Sequence, residues 1–139
     1  MKTLNEILNQ EPVFLHDWSE SKRIGVISDF EGIYITKECW IKKKQRMDEA
    51  LKKYKNIKIL FATYGLANYE GEAWVLFSEN NELFEVNGGH CSCYGLEGQW
   101  EKEPVVLKEL KNRLEKGTLG TNSYADNEFA TELKLFLGL

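Results

Sequence analysis

The segment from Ala73 to Val86 constrains the fold more than any other. Ala73 to Ser78 (Ala-Trp-Val-Leu-Phe-Ser) and Leu83 to Val86 are short apolar runs, and Glu79-Asn80-Asn81-Glu82 lies between them. Asparagine tolerates positive φ, which a tight hairpin turn needs at both of its central positions. The pattern predicts two antiparallel strands joined at the paired asparagines. A third run, Ile57 to Tyr64, is apolar at successive positions. That is the signature of a central strand covered on both faces. The three runs predict an antiparallel sheet, a β-hairpin meander.

Helical patterns flank it. Leu4, Ile7 and Leu8 have helical spacing within Thr3 to Gln10, Thr3 is an N-cap residue type, and Pro12 ends the segment. Ile24 to Ser28 and Ile33 to Ile35 read as short strands, with Asp29 to Gly32 turning between them. Thr36 offers an N-cap for a helix to about Tyr54, with Trp40, Met47, Ala50, Leu51 and Tyr54 on one face. Lys42, Lys43, Lys44, Arg46, Lys52 and Lys53 fall largely opposite, as a solvated basic face rather than a nucleic-acid patch. Pro104 suits the first turn of a helix to about Lys116, with Leu107, Leu110 and Leu114 inward and Gly117 at its end. After a polar linker, Thr118 to Ala125, Asp126 can cap a last helix bearing Phe129, Leu133, Phe136 and Leu137 on one face. Helices at both ends of an antiparallel meander define an α+β fold with three to four helices. The expected organisation is a single domain over 1–139. It divides into an N-terminal part of helix and strand (1–56), the sheet and its following helix (57–120) and a C-terminal helix (121–139).

A chain of 139 residues with a formal net charge of -4 lacks the basic balance that argues for nucleic-acid binding, and it is too mildly acidic to mimic DNA. No apolar run approaches the roughly 18 residues of a membrane span. Met1 to Glu6 has no apolar signal-peptide core, so a cytoplasmic location is expected. Three cysteines are too few, and odd in number, for a disulfide framework.

The chemistry concentrates in Gly88 to Trp100 (Gly-Gly-His-Cys-Ser-Cys-Tyr-Gly-Leu-Glu-Gly-Gln-Trp). These thirteen residues hold four glycines, two of the three cysteines and one of the two histidines. His90, Cys91 and Cys93 have zinc-ligand chemistry. On a continuing strand, however, Cys91 and Cys93 share one side and His90 takes the other, and Cys39 or His16 would have to complete a set of four. The sequence shows no paired C-x-x-C, so no metal or cofactor is expected, and the thiols read as small buried hydrophobes. A cysteine nucleophile would need a base that adjacent His90 cannot supply across a strand. Glu97, Glu101 and Glu103, and Glu70 and Glu72, are carboxylates of the kind acid–base hydrolysis uses, although loop-end carboxylates are commonly just solvated. The glycines make no nucleotide fingerprint. They suit a tight loop that tucks Leu96 and Trp100 beneath the sheet. Tyr64, Tyr69, Trp74, Tyr94 and Trp100 are core aromatics or the wall of a pocket for a flat ligand. The candidate interaction residues are His90, Cys91, Cys93, Tyr94, Glu97, Gln99 and Trp100, with no catalytic residue assigned.

Three strings, Ile59 to Tyr64, Tyr69 to Phe77 and above all Leu83 to Glu101, carry a resemblance. With the following helix and Gly117-Thr118-Leu119-Gly120, they resemble a family of small uncharacterised proteins of tailed phages, prophages and other mobile elements. The resemblance covers about half the chain and leaves the first fifty-odd residues as a variable part. It implies a source and not a mechanism. By analogy with small phage proteins that act on host targets, the expectation is an accessory protein that binds a host protein in the bacterial cytoplasm, as an inhibitor of a CRISPR or other defence component. The competing expectation is a protein that sequesters a small molecule, or a small hydrolase, with its pocket at the glycine-rich Cys/His motif.

Overall fold

A computed structural model describes residues 1–33, 39–91, 94–121 and 126–139. The fold is α+β, built on a five-stranded mixed sheet in the order β1-β2-β3-β4-β5. Its centre is the expected meander: β2 (Ile57–Ala67), β3 (Glu70–Glu79) and β4 (Glu82–His90) are antiparallel neighbours. Asn80 and Asn81 take φ of 53° and 63° between the paired Glu79 and Glu82, the turn the sequence predicted. A second turn of the same hand joins β2 to β3. Asn68 and Tyr69 take φ of 54° and 64° between paired Ala67 and Glu70, so both strands run further than their apolar cores suggested.

The register shifts between Ile59 and Phe61. This bulge lets Leu60 and Phe61 join one core while Ile59, Ala62 and Tyr64 join the other. On the first face, Trp74, Leu76 and Leu83 pack with Ile7 of α1 (Leu4–Leu8), Leu110 and Leu114 of α4 (Leu107–Glu115), and Leu133, Phe136 and Leu137 of α5 (Ala130–Leu137). On the second, Val75, Phe77 and Val86 pack with Val26 and Phe30 of α2 (Lys22–Glu31), Trp18 and Leu96. Beyond that layer, α3 (Trp40–Lys53) and its C-cap Tyr54 close over Ile27 and Ile33.

Several expectations need correction. The strand expected at Ile24 to Ser28 and the turn after it are the single helix α2. The run is too short for periodicity to separate a buried strand from a buried helix, and Gly32, at φ 66°, is the helix C-cap. Ile33 lies outside any strand, and Ile35 and the proposed cap Thr36 lie outside the described residues. Helix α3 begins at Trp40, which is 74% exposed rather than inward. Met47, Ala50, Leu51 and Tyr54 do face inward. Pro104 starts no helix; it belongs to the two-residue strand β5 (Glu103–Pro104) at the sheet edge, where a missing N–H is tolerated. Asp126 caps nothing: α5 starts at Ala130, and the Gly120 carbonyl accepts from the amides of Phe129 and Ala130 at 2.9 and 3.0 Å. Thr3 does cap α1, in a capping box with Glu6.

The sequence reading missed β1 (Val13–His16), which adds to β2 in parallel, Val13 opposite Phe61 and His16 opposite Tyr64, and makes the sheet mixed. The amide of Asp17 continues this pairing by donating to the Tyr64 carbonyl at 3.0 Å.

Candidate functional site

A cleft of about 220 Å³ opens on the second face. Four parts of the chain build it. Asp17 follows β1, and Ser28 and Asp29 come from α2. Tyr64 and Leu66 lie on β2. His90 ends β4 and leads into the loop bearing Gly95, Leu96 and Glu97. Gly71 on β3 makes the convergence possible. A Cβ there would lie 2.8 Å from Leu66 Cδ2, 2.9 Å from Tyr64 Cε1 and 3.1 Å from His90 Cβ, so the three side chains meet over bare backbone.

The loop is braced from within. Gln99 Nε2 donates to the carbonyls of Gly89 and Gly95, both at 2.8 Å, and its Oε1 accepts from the Gly89 amide at 2.8 Å. Cys91 and Tyr94 pair antiparallel through reciprocal backbone bonds of 3.2 and 3.3 Å. The Gly98 amide donates to the Phe30 carbonyl at 3.3 Å and ties the loop to α2. Leu96 is buried against Gly88, where a Cβ would come within 2.9 Å of Leu96 Cδ2. Trp100 is half-buried, its ring 5.0 to 5.1 Å from those of Phe30, Tyr54 and Phe77.

The candidate residues therefore separate by role. His90 and Glu97 line the cleft. Gln99 braces the loop rather than lining the cleft; of the two residues expected to tuck beneath the sheet, Leu96 is buried and Trp100 half-buried. Cys91 is half-buried in the backbone pair, Tyr94 is 57% exposed, and Cys93 lies outside the described residues. Among the aromatic wall candidates, Tyr64 reaches the cleft; Trp74 is buried on the opposite face and Tyr69 is 86% exposed. His16 Nε2 donates to the Glu128 carbonyl at 3.1 Å, and Cys39 is exposed at the start of α3. No three His, Cys, Asp or Glu side chains among the described residues are grouped to hold a metal ion.

Sequence reasoning missed Asp17, Ser28 and Asp29. They come from segments it read as loop, strand and turn, and nothing in their spacing signals a common site. The Trp18 indole donates to Asp29 Oδ2 at 2.7 Å and fixes that carboxylate. Burial pushes the Asp29 carboxyl above the ordinary aspartate range, and the Asp17 charge adds to this while the Trp18 bond and His90 oppose it. The Tyr64 phenol is pushed well above its ordinary value by burial, then by the carboxylates of Asp29, Asp17 and Glu97. Glu97 Oε1 accepts from the Gly95 amide at 3.3 Å. Two polar atoms belonging to cleft residues, Ser28 Oγ and His90 Nδ1, are buried with no hydrogen-bond partner among the described residues.

The other face carries a contrasting carboxylate. Glu85 is buried and accepts from Arg113 Nη2 at 2.5 Å, Arg113 Nη1 at 3.0 Å, Trp74 Nε1 at 3.1 Å and Asn87 Nδ2 at 3.3 Å. Burial works to raise its pKa, but the bonds from Arg113 and Trp74, the Arg113 charge and Asn87 together hold it below the usual glutamate value. A carboxylate so fully bonded is structural. No helix among the described residues is long and apolar enough to cross a membrane. The chain matches no family model, no curated protein and no solved structure.

Proposed function

We propose that the protein is a small-molecule-binding protein whose site is the cleft between α2, the end of the sheet and the Gly95–Glu97 loop. One observation supports this reading most: Ser28 Oγ and His90 Nδ1, both from residues lining the cleft, are buried without partners among the described residues. An unmet buried polar group costs about 1–3 kcal/mol, which a ligand offering matching groups would offset. A serine inside a helix ordinarily has a way out, bonding back to a carbonyl one turn earlier, and Ser28 does not take it. The test is thermal denaturation of the wild type and of Ser28→Ala against a small-metabolite library. The reading expects compounds that raise the wild-type midpoint and act less on Ser28→Ala. It is wrong if no compound raises the midpoint and Ser28→Ala is simply the more stable protein, as removal of an unmet hydroxyl alone predicts.

A second reading keeps the role implied by the phage-family resemblance, binding and inhibition of a host protein such as a defence component. The observation that favours it is Trp40 and Ile41, 74% and 62% exposed on the first turn of α3. Exposed aromatic and aliphatic neighbours of this kind anchor protein interfaces. A single host protein recovered stoichiometrically with the wild type, and lost with a Trp40→Ser/Ile41→Ser variant, is the expected result. Recovery unaffected by that variant would remove the surface from consideration.

A further inference from the structure

The cleft is rich in acceptors. Asp17, Asp29 and Glu97 supply carboxylates, Ser28 and Tyr64 hydroxyls and His90 an imidazole, and no lysine or arginine lines it among the described residues. Three carboxylates line one partly buried space; beyond the larger effect of burial, the Asp17 charge raises Asp29, and all three raise the Tyr64 phenol. A bound cation would relieve this concentration of negative charge; an anion would worsen it. The charge does not suit a metal ion, because these groups do not converge on one point. It suits a charge spread over several N–H groups. The carboxylates keep acceptor capacity for such a ligand. Trp18 donates to Asp29 Oδ2 and the Gly95 amide to Glu97 Oε1, and neither Asp29 Oδ1 nor Glu97 Oε2 has a hydrogen bond among the described residues. Ser28, which also lines the cleft, carries an independent buried Oγ with no hydrogen-bond partner among the described residues. The rest of the lining includes Tyr64, Leu66 and Leu96, an apolar seat for a flat body. At about 220 Å³ the cleft is smaller than a drug-sized site and fits one ring with its charged group.

We infer that the cleft takes a small, flat organic cation of the amidinium or guanidinium class, its N–H groups shared among Asp17, Asp29 and Glu97. This inference rests on the small-molecule reading of the cleft. Gly95 offers a lever that leaves the core untouched. A Cβ there would sit 2.8 Å from Glu97 Oε2, the tip of a flexible side chain, so alanine displaces the carboxylate rather than the backbone.

The probes are benzamidine, neutral benzamide and anionic benzoate, nearly identical in shape, titrated calorimetrically into the full chain. Benzamidine is expected to bind, benzamide at least about tenfold more weakly, since charged hydrogen bonds supply the difference, and benzoate not at all. Glu97→Gln and Gly95→Ala should each weaken benzamidine by about tenfold and benzamide by less, so that the preference for the cation narrows. Circular dichroism confirms that each variant is folded, and because one touches the carboxylate and the other only its position, either suffices. Equal binding of benzamidine and benzamide, or preference for benzoate, overturns the cation class while leaving a small-molecule site standing. Binding by none of the three overturns it too, and the metabolite library then decides whether the cleft binds anything. Benzamidine binding unaffected by both variants overturns the placement of the charge.

Discussion

A buried carboxylate and a half-buried one, on opposite faces of one sheet, are in opposite circumstances. Glu85 gains more from its partners than it loses by burial, so its folded pKa lies below its unfolded value. Its contribution is present above the ordinary glutamate range and is lost as pH falls through the depressed value. Glu85→Gln should cost about 2–3 kcal/mol at neutral pH, less than a fully buried pair because the Arg113 side chain is 36% exposed and water screens it. Urea unfolding at pH 7 and in acid checks both the size and its disappearance at low pH. Asp29 is the reverse case. Its folded pKa is raised, so it favours folding below its unfolded value, and that favour is lost as pH rises through the folded value. Asp29→Asn, which can still accept from Trp18, is expected to melt at a higher temperature than the wild type at neutral pH, with the gap closing in acid. Asp17, His90 and Tyr64 face the same carboxylate and move the midpoint of that closure. A gap that is constant with pH would show that Asp29 is not strained by its charge. A residue whose removal stabilises the fold is one that binding sites commonly retain.

At the scale of elements, the turns divide into one that its residues suit and one that they do not. Asn80 and Asn81 are suited to positive φ, whereas Tyr69, at φ 64°, is not. Its side chain is 86% exposed and contributes little packing. Tyr69→Gly should therefore raise stability by about 1 kcal/mol by removing left-handed strain, read as a higher urea midpoint at unchanged slope. Trp100 works between elements, its ring joining α2, the C-cap of α3 and β3. Trp100→Ala should cost about 3 kcal/mol, the low end for a large aromatic because the ring is only half-buried. A cost below about 1 kcal/mol would make Trp100 a surface contact. These elements also show what was legible in the sequence. The meander was, because three apolar runs follow one another closely and Asn80-Asn81 marks the reversal between the last two. Leu133, Phe136 and Leu137 were, because helical spacing is unambiguous over two turns. Helix α2 was not: Val26 and Ile27 favour strands locally, and only packing against Trp18 and Phe77 decides for a helix. The site was half legible. The Gly88–Trp100 string revealed His90 and Glu97. Asp17, Ser28 and Asp29 join them only through tertiary structure.

For the whole molecule, the order of the sheet is the order of the chain, and β2, β3 and β4 are joined by tight turns. Strand β1 also pairs with its neighbour in sequence, but in parallel and across a long connection. It must close over more than a whole helix pair to reach β2 in parallel, and Asp17 comes into place only when it does. Contacts of long sequence separation form late, after the entropy of the intervening loop has been lost. Truncating this strand with Val13→Ala should therefore speed unfolding and barely slow refolding, a difference that the two limbs of a stopped-flow chevron separate.

The parallel docking of β1 also has a temporal consequence. On a ribosome the first strand is finished while its partner is still unmade, and the hairpins that emerge later can close without it. The acidic cleft is complete only once β1 has docked on β2 and the Gly95–Glu97 loop is in place. A compound held there recognises only finished molecules. It acts by slowing their opening rather than hastening their assembly, so that occupancy in the cell would appear as a longer lifetime against proteolysis and not as a higher yield of folding.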